Sequence, residues 1–212
     1  MPTRGPHHAE RRRSDPGWRG AAALRVLAPL AICAAGIARP LLAQRLPDAA
    51  TTTVILVRHA ERADVGSTAD PVLSLAGEAR AESLAATLAG VRLTGIVVTQ
   101  YRRTGLTAAP TARAHGVEPV VVATTGGTPA HVRAVADTVR ARFAGGVVLV
   151  VGHSNTVGGI VAALGGPRLP DLCDAEYSTV FVLVLRPDGE PSLLRSRYGP
   201  DDPPPGAACH RP

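Results

Sequence analysis

Residues 54–62 read Val-Ile-Leu-Val-Arg-His-Ala-Glu-Arg, and the rest of the predicted fold is organised around them. The four consecutive apolar residues of this stretch, mostly β-branched, predict a short strand of a parallel sheet that is buried on both faces. Charged residues begin abruptly at Arg58 and His59, where that strand would end. Ligands of open α/β sheets bind just beyond the carboxyl ends of strands. The pair therefore marks a candidate site, with a fixed cation beside a group that can act as a nucleophile near pH 7.

Strands and helices alternate along the rest of the chain. Apolar runs predict further strands at 95–99, 120–123 and 147–152, and a terminal hairpin at 179–185 and 192–197. Helices are predicted from an N-cap at Ser74, from about Arg103 to His115, over 129–143 and up to about Leu164. This order predicts an α/β fold with a single domain, a three-layer αβα sandwich around a mostly parallel central sheet.

Residues 1–43 are typical of a signal peptide. A basic run at 11–13 precedes an apolar stretch over 26–38, and residues 41–43 offer a cleavage point before Gln44. The apolar stretch falls short of the about 20 residues needed to cross a bilayer. An uncleaved membrane anchor stays open as an alternative, because residues 21–24 could lengthen the helix.

We therefore expect an exported protein, periplasmic or secreted, with no stable membrane association after the signal peptide is cleaved. The domain is predicted over 44–199, followed by a flexible, proline-rich tail over 200–212. Of the three cysteines, Cys173 and Cys209 would remain in the mature chain, where they could form a disulfide or stay as two thiols. No spacing of cysteines and histidines resembles a metal site.

The net charge of +6 comes largely from the predicted signal peptide. Residues 1–43 hold 7 arginines and 2 acids, so the remaining 16 arginines and 15 acids give residues 44–212 a balance of +1. Nucleic-acid binding needs a basic folded surface and usually stacking aromatic residues, which make up only 3% of this chain. Nucleic acid is therefore not expected as a partner.

Polar residues follow three predicted strands at the point where each strand ends. They are Arg58-His59, the stretch from Thr99 to Arg103, and His153-Ser154-Asn155. Because parallel strands end at the same edge of a sheet, these groups can converge although they are distant in sequence. The guanidinium of an arginine can bind two phosphate oxygens at once, and a histidine can attack phosphorus. This set of residues therefore suits a phosphoryl group.

These stretches resemble the histidine phosphatase (phosphoglycerate mutase-like) superfamily, in its compact branch-1 form, over most of residues 53–198. The motifs are Arg58-His-Ala-Glu61, a helix start at 73–81 similar to Leu-Thr-x-x-Gly, a 99–108 block similar to Ser-x-x-x-Arg-Ala-x-x-Thr-Ala, and Gly152-His153. The resemblance implies a phosphatase without metal or cofactor, acting on a small phosphorylated substrate or a phosphoprotein.

The resemblance also assigns roles to residues. It implies that His59 is the nucleophile and forms a phosphohistidine, while Arg58, Arg103 and His153 bind the phosphate. Arg102 is interpreted as a solvated neighbour of Arg103. Ser154 is a further candidate for substrate binding.

The chain departs from the family pattern at the proton donor. Many members place a glutamate between the second arginine block and the second histidine, yet residues 104–152 contain only Glu118 and Asp137 as acids. The general acid is therefore unassigned. Glu61 is a candidate for this role and for substrate binding, and it could instead orient Arg58 or Arg62.

Two alternative functions stay open on the sequence. A non-catalytic module that binds a phosphorylated ligand would keep the same pocket. A serine esterase would use Ser154, because residues 152–156 fall one residue short of a Gly-x-Ser-x-Gly nucleophile elbow. The esterase needs a histidine downstream, and His210 in the proline-rich tail is the candidate.

Overall fold

The computed structural model describes residues 50–63, 69–202 and 204. The predicted signal peptide and the cysteines at 33 and 209 lie outside these residues, so export stays a prediction. Cys173 is disulfide-bonded, and its partner also lies outside the described residues. Within the described part of the chain, no helix has both the length and the apolar character that a membrane span requires.

Six strands and four helices alternate in the described residues. The strands are β1 (Thr52–Arg58), β2 (Gly95–Val98), β3 (Val120–Val121), β4 (Val147–Gly152), β5 (Thr179–Leu185) and β6 (Ser192–Arg197). The helices are α1 (Leu75–Leu88), α2 (Arg102–His115), α3 (Gly127–Arg142) and α4 (Val157–Ala163). The predicted α/β fold with a mostly parallel sheet is confirmed.

Element boundaries differ from the sequence prediction by two residues at β3 and at the start of α3, and by less at several other ends. The third strand spans two residues instead of four, and α3 begins at Gly127, two residues before the predicted start at Pro129. Pro129 lies in the first turn of the helix, where backbone N–H groups have no intrahelical acceptor. Its missing N–H therefore costs the helix no hydrogen bond. The N-cap predicted at Ser74 is confirmed, because its hydroxyl accepts from the Gly77 N–H at 3.1 Å.

The sheet has the strand order β3-β2-β4-β1-β5-β6. The first four strands in this order are parallel, β5 runs antiparallel to its neighbour β1, and β6 runs antiparallel to β5. β1 therefore lies inside the sheet between β4 and β5. The carboxyl ends of β1, β2 and β4 meet at one edge, as the sequence predicted.

Alternate residues of β1 pack on opposite faces of the sheet. Val54 and Leu56 belong to a core cluster with the buried faces of α3 and α4. Ile55 and Val57 belong to a second cluster with α1 and α2. Helices thus cover both faces, which explains why the whole apolar run of β1 is buried and why the domain has three layers.

The first residues of the predicted tail are bonded to the domain. The Asp202 carboxylate accepts from the backbone N–H groups of Tyr177 at 2.8 Å and Ser178 at 2.6 Å. The Pro200 carbonyl accepts from Arg80 Nη1 at 2.8 Å. Pro200 and Asp202 are thus held by hydrogen bonds to the folded chain, and the boundary at residue 199 stays a prediction.

Candidate active site

The ends of β1 and β4 bring the two candidate histidines together. Arg58 is paired with Gly152 in the sheet, and the His59 N–H donates to the Gly152 carbonyl at 2.9 Å. The ring centroids of His59 and His153 are consequently only 5.3 Å apart. Both rings are buried at the wall of a cavity of about 520 Å³.

The His59 ring is held in one tautomer. Its Nδ1 lies 2.8 Å from the carbonyl oxygen of Ala60, and because a carbonyl only accepts, Nδ1 carries the proton. Burial, assisted by the charges of Arg58 and Arg103, lowers the pKa of His59 to about 4. The ring is therefore neutral at pH 7, with the lone pair of Nε2 available to attack an electrophile.

Arg58 is fixed by the segment that precedes β5. Its Nη1 donates to the carbonyl oxygens of Cys173 at 2.8 Å, Asp174 at 2.9 Å and Glu176 at 3.3 Å. Its guanidinium also stacks on the Tyr177 ring, 4.0 Å from the centroid. These contacts fix the guanidinium through Nη1 and one face, and Arg58 is among the residues that line the cavity.

Arg103 reaches the cavity from the first turn of α2. It stacks on Tyr101 at 4.2 Å from the ring centroid, and its Nη1 lies 3.6 Å from an Asp70 oxygen. Its Nη2 lies 3.5 Å from Nδ1 of His153. The side chain of Arg102 is exposed and does not line the cavity, whereas its backbone N–H donates to Asp70 at 3.0 Å.

His153 is bonded on both sides of its ring. Its Nε2 lies 3.1 Å from the Thr99 hydroxyl, and its Nδ1 faces Arg103, which can only donate. Burial, with the neighbouring His59 and Arg103, lowers the pKa of His153 to about 3. Nδ1 is thus an acceptor in this arrangement. Donation to a phosphate oxygen requires a proton there, which a bound dianion would favour by opposite charge.

Glu61 is not brought into the cavity. Its carboxylate instead binds Arg80 of α1, with Oε1 2.7 Å from Nη2 and 2.9 Å from Nε. Arg80 is only 1% exposed. The structure therefore places the Glu61 carboxylate in an ion pair with the buried Arg80, which positions α1, and not among the side chains that line the cavity.

We expect Glu61→Ala to lower the free energy of unfolding by about 3 kcal/mol, because it leaves the buried Arg80 charge without its main partner. The value of kcat/KM for the folded enzyme should change less than about twofold. Urea unfolding and steady-state kinetics measure the two quantities. Glu82→Ala is the matched control, since the exposed pair between Glu82 of α1 and Arg113 of α2 should contribute less than about 1 kcal/mol. A raised KM without loss of stability would instead place Glu61 at the substrate.

Ser154 lines the cavity, together with residues that the sequence did not single out. Arg62, His131 and Asp174 are the charged or titratable ones among them. His131 carries no motif and lies within α3, and Asp174 lies in an irregular segment, so neither had a sequence signal. Arg62 belongs to the stretch 54–62, and no sequence pattern indicated its role.

The missing proton donor is not supplied by the two acids considered from the sequence. Neither Glu118 nor Asp137 lines the cavity. Asp174 is the carboxylate at its wall, but its side chain is 88% exposed and lies 3.9 Å from Arg58 Nη2. Among the described residues, no group of three or more His, Cys, Asp and Glu side chains could hold a metal ion.

The edge of this α/β sheet presents two neutral histidines and two buried or half-buried arginines, a set of side chains that suits a tetrahedral anion. Residues 54–125 match the model of the histidine phosphatase superfamily (branch 1). The resemblance drawn from the sequence is thereby confirmed. A comparison with curated proteins found no match.

Solved structures with the same fold include three phosphatases or putative phosphatases. The putative phosphohistidine phosphatase SixA from Nakamurella multipartitia is 22% identical, with a TM-score of 0.51 and coverage of 71% of this chain and 98% of that one. SixA in complex with tungstate is 21% identical, with a TM-score of 0.52 and coverage of 68% and 96%. A putative alpha-ribazole-5'-P phosphatase from Escherichia coli K-12 is 15% identical, with a TM-score of 0.52 and coverage of 70% and 96%. At these identities the likeness concerns the fold.

Proposed function

We propose that the protein is a metal-independent phosphatase that hydrolyses a phosphate ester or phosphoramidate through a phosphohistidine on His59. The observation that carries this proposal is the fixed tautomer of His59. With Nδ1–H held by the Ala60 carbonyl, the unprotonated Nε2 belongs to a ring that lines the cavity beside Arg58 and Arg103. The match of residues 54–125 to the histidine phosphatase superfamily supports the phosphatase class.

The first step transfers the phosphoryl group to the enzyme. Nε2 of His59 forms a bond to phosphorus while the bond from phosphorus to the leaving atom breaks. Arg58 and Arg103 stabilise the equatorial oxygens, and positioning and charge stabilisation are most of what phosphoryl transfer requires. The leaving group takes a proton from solvent in the open cavity, or needs none if it is already a good leaving group.

The second step returns the enzyme to its initial state. Nδ1 keeps its proton, which it donates to the Ala60 carbonyl, so the ring phosphorylated at Nε2 carries a positive charge. The ring therefore leaves phosphorus as neutral imidazole, which is a good leaving group. Water attacks phosphorus, the bond from Nε2 to phosphorus breaks, and inorganic phosphate is released. The substrate can be a small phosphorylated molecule or a phosphoprotein, since both deliver the same group to the same residues.

The test is rapid quenching of the enzyme with labelled substrate. We expect turnover of an aryl phosphate and a trapped phosphoenzyme that survives alkali and is lost in acid, as a phosphoramidate is. Binding of phosphate without turnover would favour the non-catalytic module instead. A trapped label that survives acid would favour a serine ester, and hence Ser154.

A further inference from the structure

Arg58 owes its position to a segment outside the helices and strands. Residues 173–178 precede β5 and supply the three carbonyl oxygens that accept from Arg58 Nη1. They also supply the Tyr177 ring, whose centroid lies 4.0 Å from the guanidinium carbon of Arg58. An irregular segment lacks the regular backbone hydrogen bonds of a helix or a sheet, so its position depends on other partners. Whatever holds this segment therefore also holds Arg58.

The two ends of the segment are held by different carboxylates. Near its start, the Glu176 carboxylate accepts from the Cys173 N–H at 3.4 Å. At its end, Asp202 Oδ1 accepts from the Tyr177 N–H at 2.8 Å and the Ser178 N–H at 2.6 Å. Its Oδ2 accepts from the Ser178 hydroxyl at 2.8 Å. The bonds to Asp202 are the shorter ones, and they fix the residue whose ring stacks on the guanidinium.

Asp202 is ionised in this arrangement. Burial by itself raises the pKa of its carboxyl, but the hydrogen bonds from Ser178 and Tyr177 outweigh burial and lower the pKa below its ordinary value. A carboxylate only accepts hydrogen bonds, and charge-assisted bonds are stronger than neutral ones. The end of the segment is therefore tied by strong, directional bonds to a single side chain.

Arg80 holds the stretch that carries Asp202. Its Nη1 donates to the Pro200 carbonyl at 2.8 Å, whereas its Nη2 lies 3.9 Å from Asp202 Oδ1. Nη2 binds the Glu61 carboxylate at 2.7 Å instead. The Asp202 carboxylate is thus closer to the backbone N–H groups before β5 than to the charge of Arg80, which identifies the segment as its principal partner.

We propose that Asp202 is a positioning residue for the phosphate-binding guanidinium of Arg58 and acts through the backbone and ring of Tyr177. Asp202 does not line the cavity, so its effect on a bound anion has to pass through a residue that does. Arg58 lines the cavity, is 6% exposed and lies against the ring that Asp202 holds in place. This inference rests on the proposed function, which assigns Arg58 to the phosphate.

The test is a double-mutant cycle with tungstate, a tetrahedral dianion that the enzyme cannot hydrolyse, and calorimetry measures its Kd. Arg58→Ala should raise the Kd by about 100-fold, because charge-assisted hydrogen bonds to the anion are lost. Asp202→Ala should raise it by about 10-fold, the loss expected when a desolvated guanidinium is no longer held on an aromatic ring. In the protein with both changes, the Kd should stay within about twofold of that of Arg58→Ala.

A conservative variant and a neighbouring one separate the position of the segment from the charge of Asp202. Asp202→Asn keeps an oxygen for the two N–H groups and should raise the Kd by less than about threefold. Asp201→Ala is the matched control, because Asp201 is exposed and its described contact, with Arg80, is made by its backbone carbonyl. The Kd of this control should equal that of the wild type.

Three results would overturn the inference. An effect of Asp202→Ala that persists undiminished in the Arg58→Ala protein would show a disturbance of the whole domain. A wild-type Kd in Asp202→Ala would show that the other contacts suffice to position Arg58. An Asp202→Asn protein as weak as Asp202→Ala would assign the effect to the charge beside Arg80. If Asp202→Ala does not fold, Ser178→Ala, which removes only the hydroxyl bond to Oδ2, takes its place in the cycle with an expected effect of about threefold.

Failure of the proposed function has a different signature. Tungstate binding without turnover of any phosphate ester would refute the phosphatase, and the cycle would still decide the role of Asp202. An Arg58→Ala protein with wild-type affinity for tungstate would refute the anion site itself, and the inference with it.

Discussion

Replacing His59 by alanine is expected to abolish turnover, with a loss in kcat on the order of 10⁴-fold or more. The reason is that the second buried histidine cannot take over the attack. Nε2 of His153 is bonded to the Thr99 hydroxyl, and its Nδ1 faces the Arg103 guanidinium. Steady-state kinetics with an aryl phosphate measures the loss, and rapid quenching should trap no alkali-stable phosphoenzyme in the variant.

Two measurements distinguish a loss of the chemical step from a loss of phosphate binding or a general disturbance of the cavity. The variant should still bind inorganic phosphate, because the contacts that hold Arg58 come from the segment before β5 and do not involve His59. Ser154→Ala, which removes a hydroxyl from the same cavity wall, should lower kcat by less than about 10-fold. If Ser154→Ala is the inactive variant and His59→Ala retains turnover, the phosphohistidine mechanism is wrong.

The sequence predicted those parts of the fold and site that depend on local pattern. The uninterrupted apolar runs before Arg58 and before His153 indicated strands covered on both faces, and both strands lie inside the sheet. The polar residues at their ends then had to share an edge, because the connections between them are long enough for helical crossovers. This reasoning placed His59 and His153 together without any three-dimensional information.

Side-chain pairing over long sequence separations could not be predicted in this way. The carbonyl partners of Arg58 lie 115 to 118 residues away, in an irregular segment with no pattern of its own. The partner of Glu61 depends on which face of α1 carries Arg80, and that helix has charged residues on several faces. An acid close to Arg58 and His59 in the sequence was therefore a reasonable candidate for the site, although its carboxylate binds Arg80 instead.

His131 was missed for a related reason. In the sequence it precedes Val132, Val135 and Val139, which are core residues of α3, so it looks like part of an ordinary buried face. Its distinction is a place in the cavity lining, and this depends on the bond of its Nδ1 to the Ala123 carbonyl and on the packing of α3 against the sheet. Only the assembled structure contains that information.

Arg103→Lys is expected to lower kcat/KM by about 10²-fold, although it keeps the positive charge. Lysine loses the planar fork that binds two phosphate oxygens, the stacking on Tyr101 and the contact with His153. Stabilisation of the equatorial oxygens by a preorganised donor is typically worth this much in phosphoryl and acyl transfer. Steady-state kinetics, together with calorimetric titration of inorganic phosphate, measures the loss.

Arg102→Lys is the matched control, because it makes the same change one residue away in the same helical turn. The described contact of Arg102 with Asp70 is made by its backbone N–H, which lysine keeps, and its side chain does not line the cavity. Its kcat/KM should therefore stay within about twofold of the wild type. Equal losses at the two positions would show that long-range charge, rather than the geometry of one guanidinium, provides the binding, and the assignment of Arg103 to the phosphate would then be wrong.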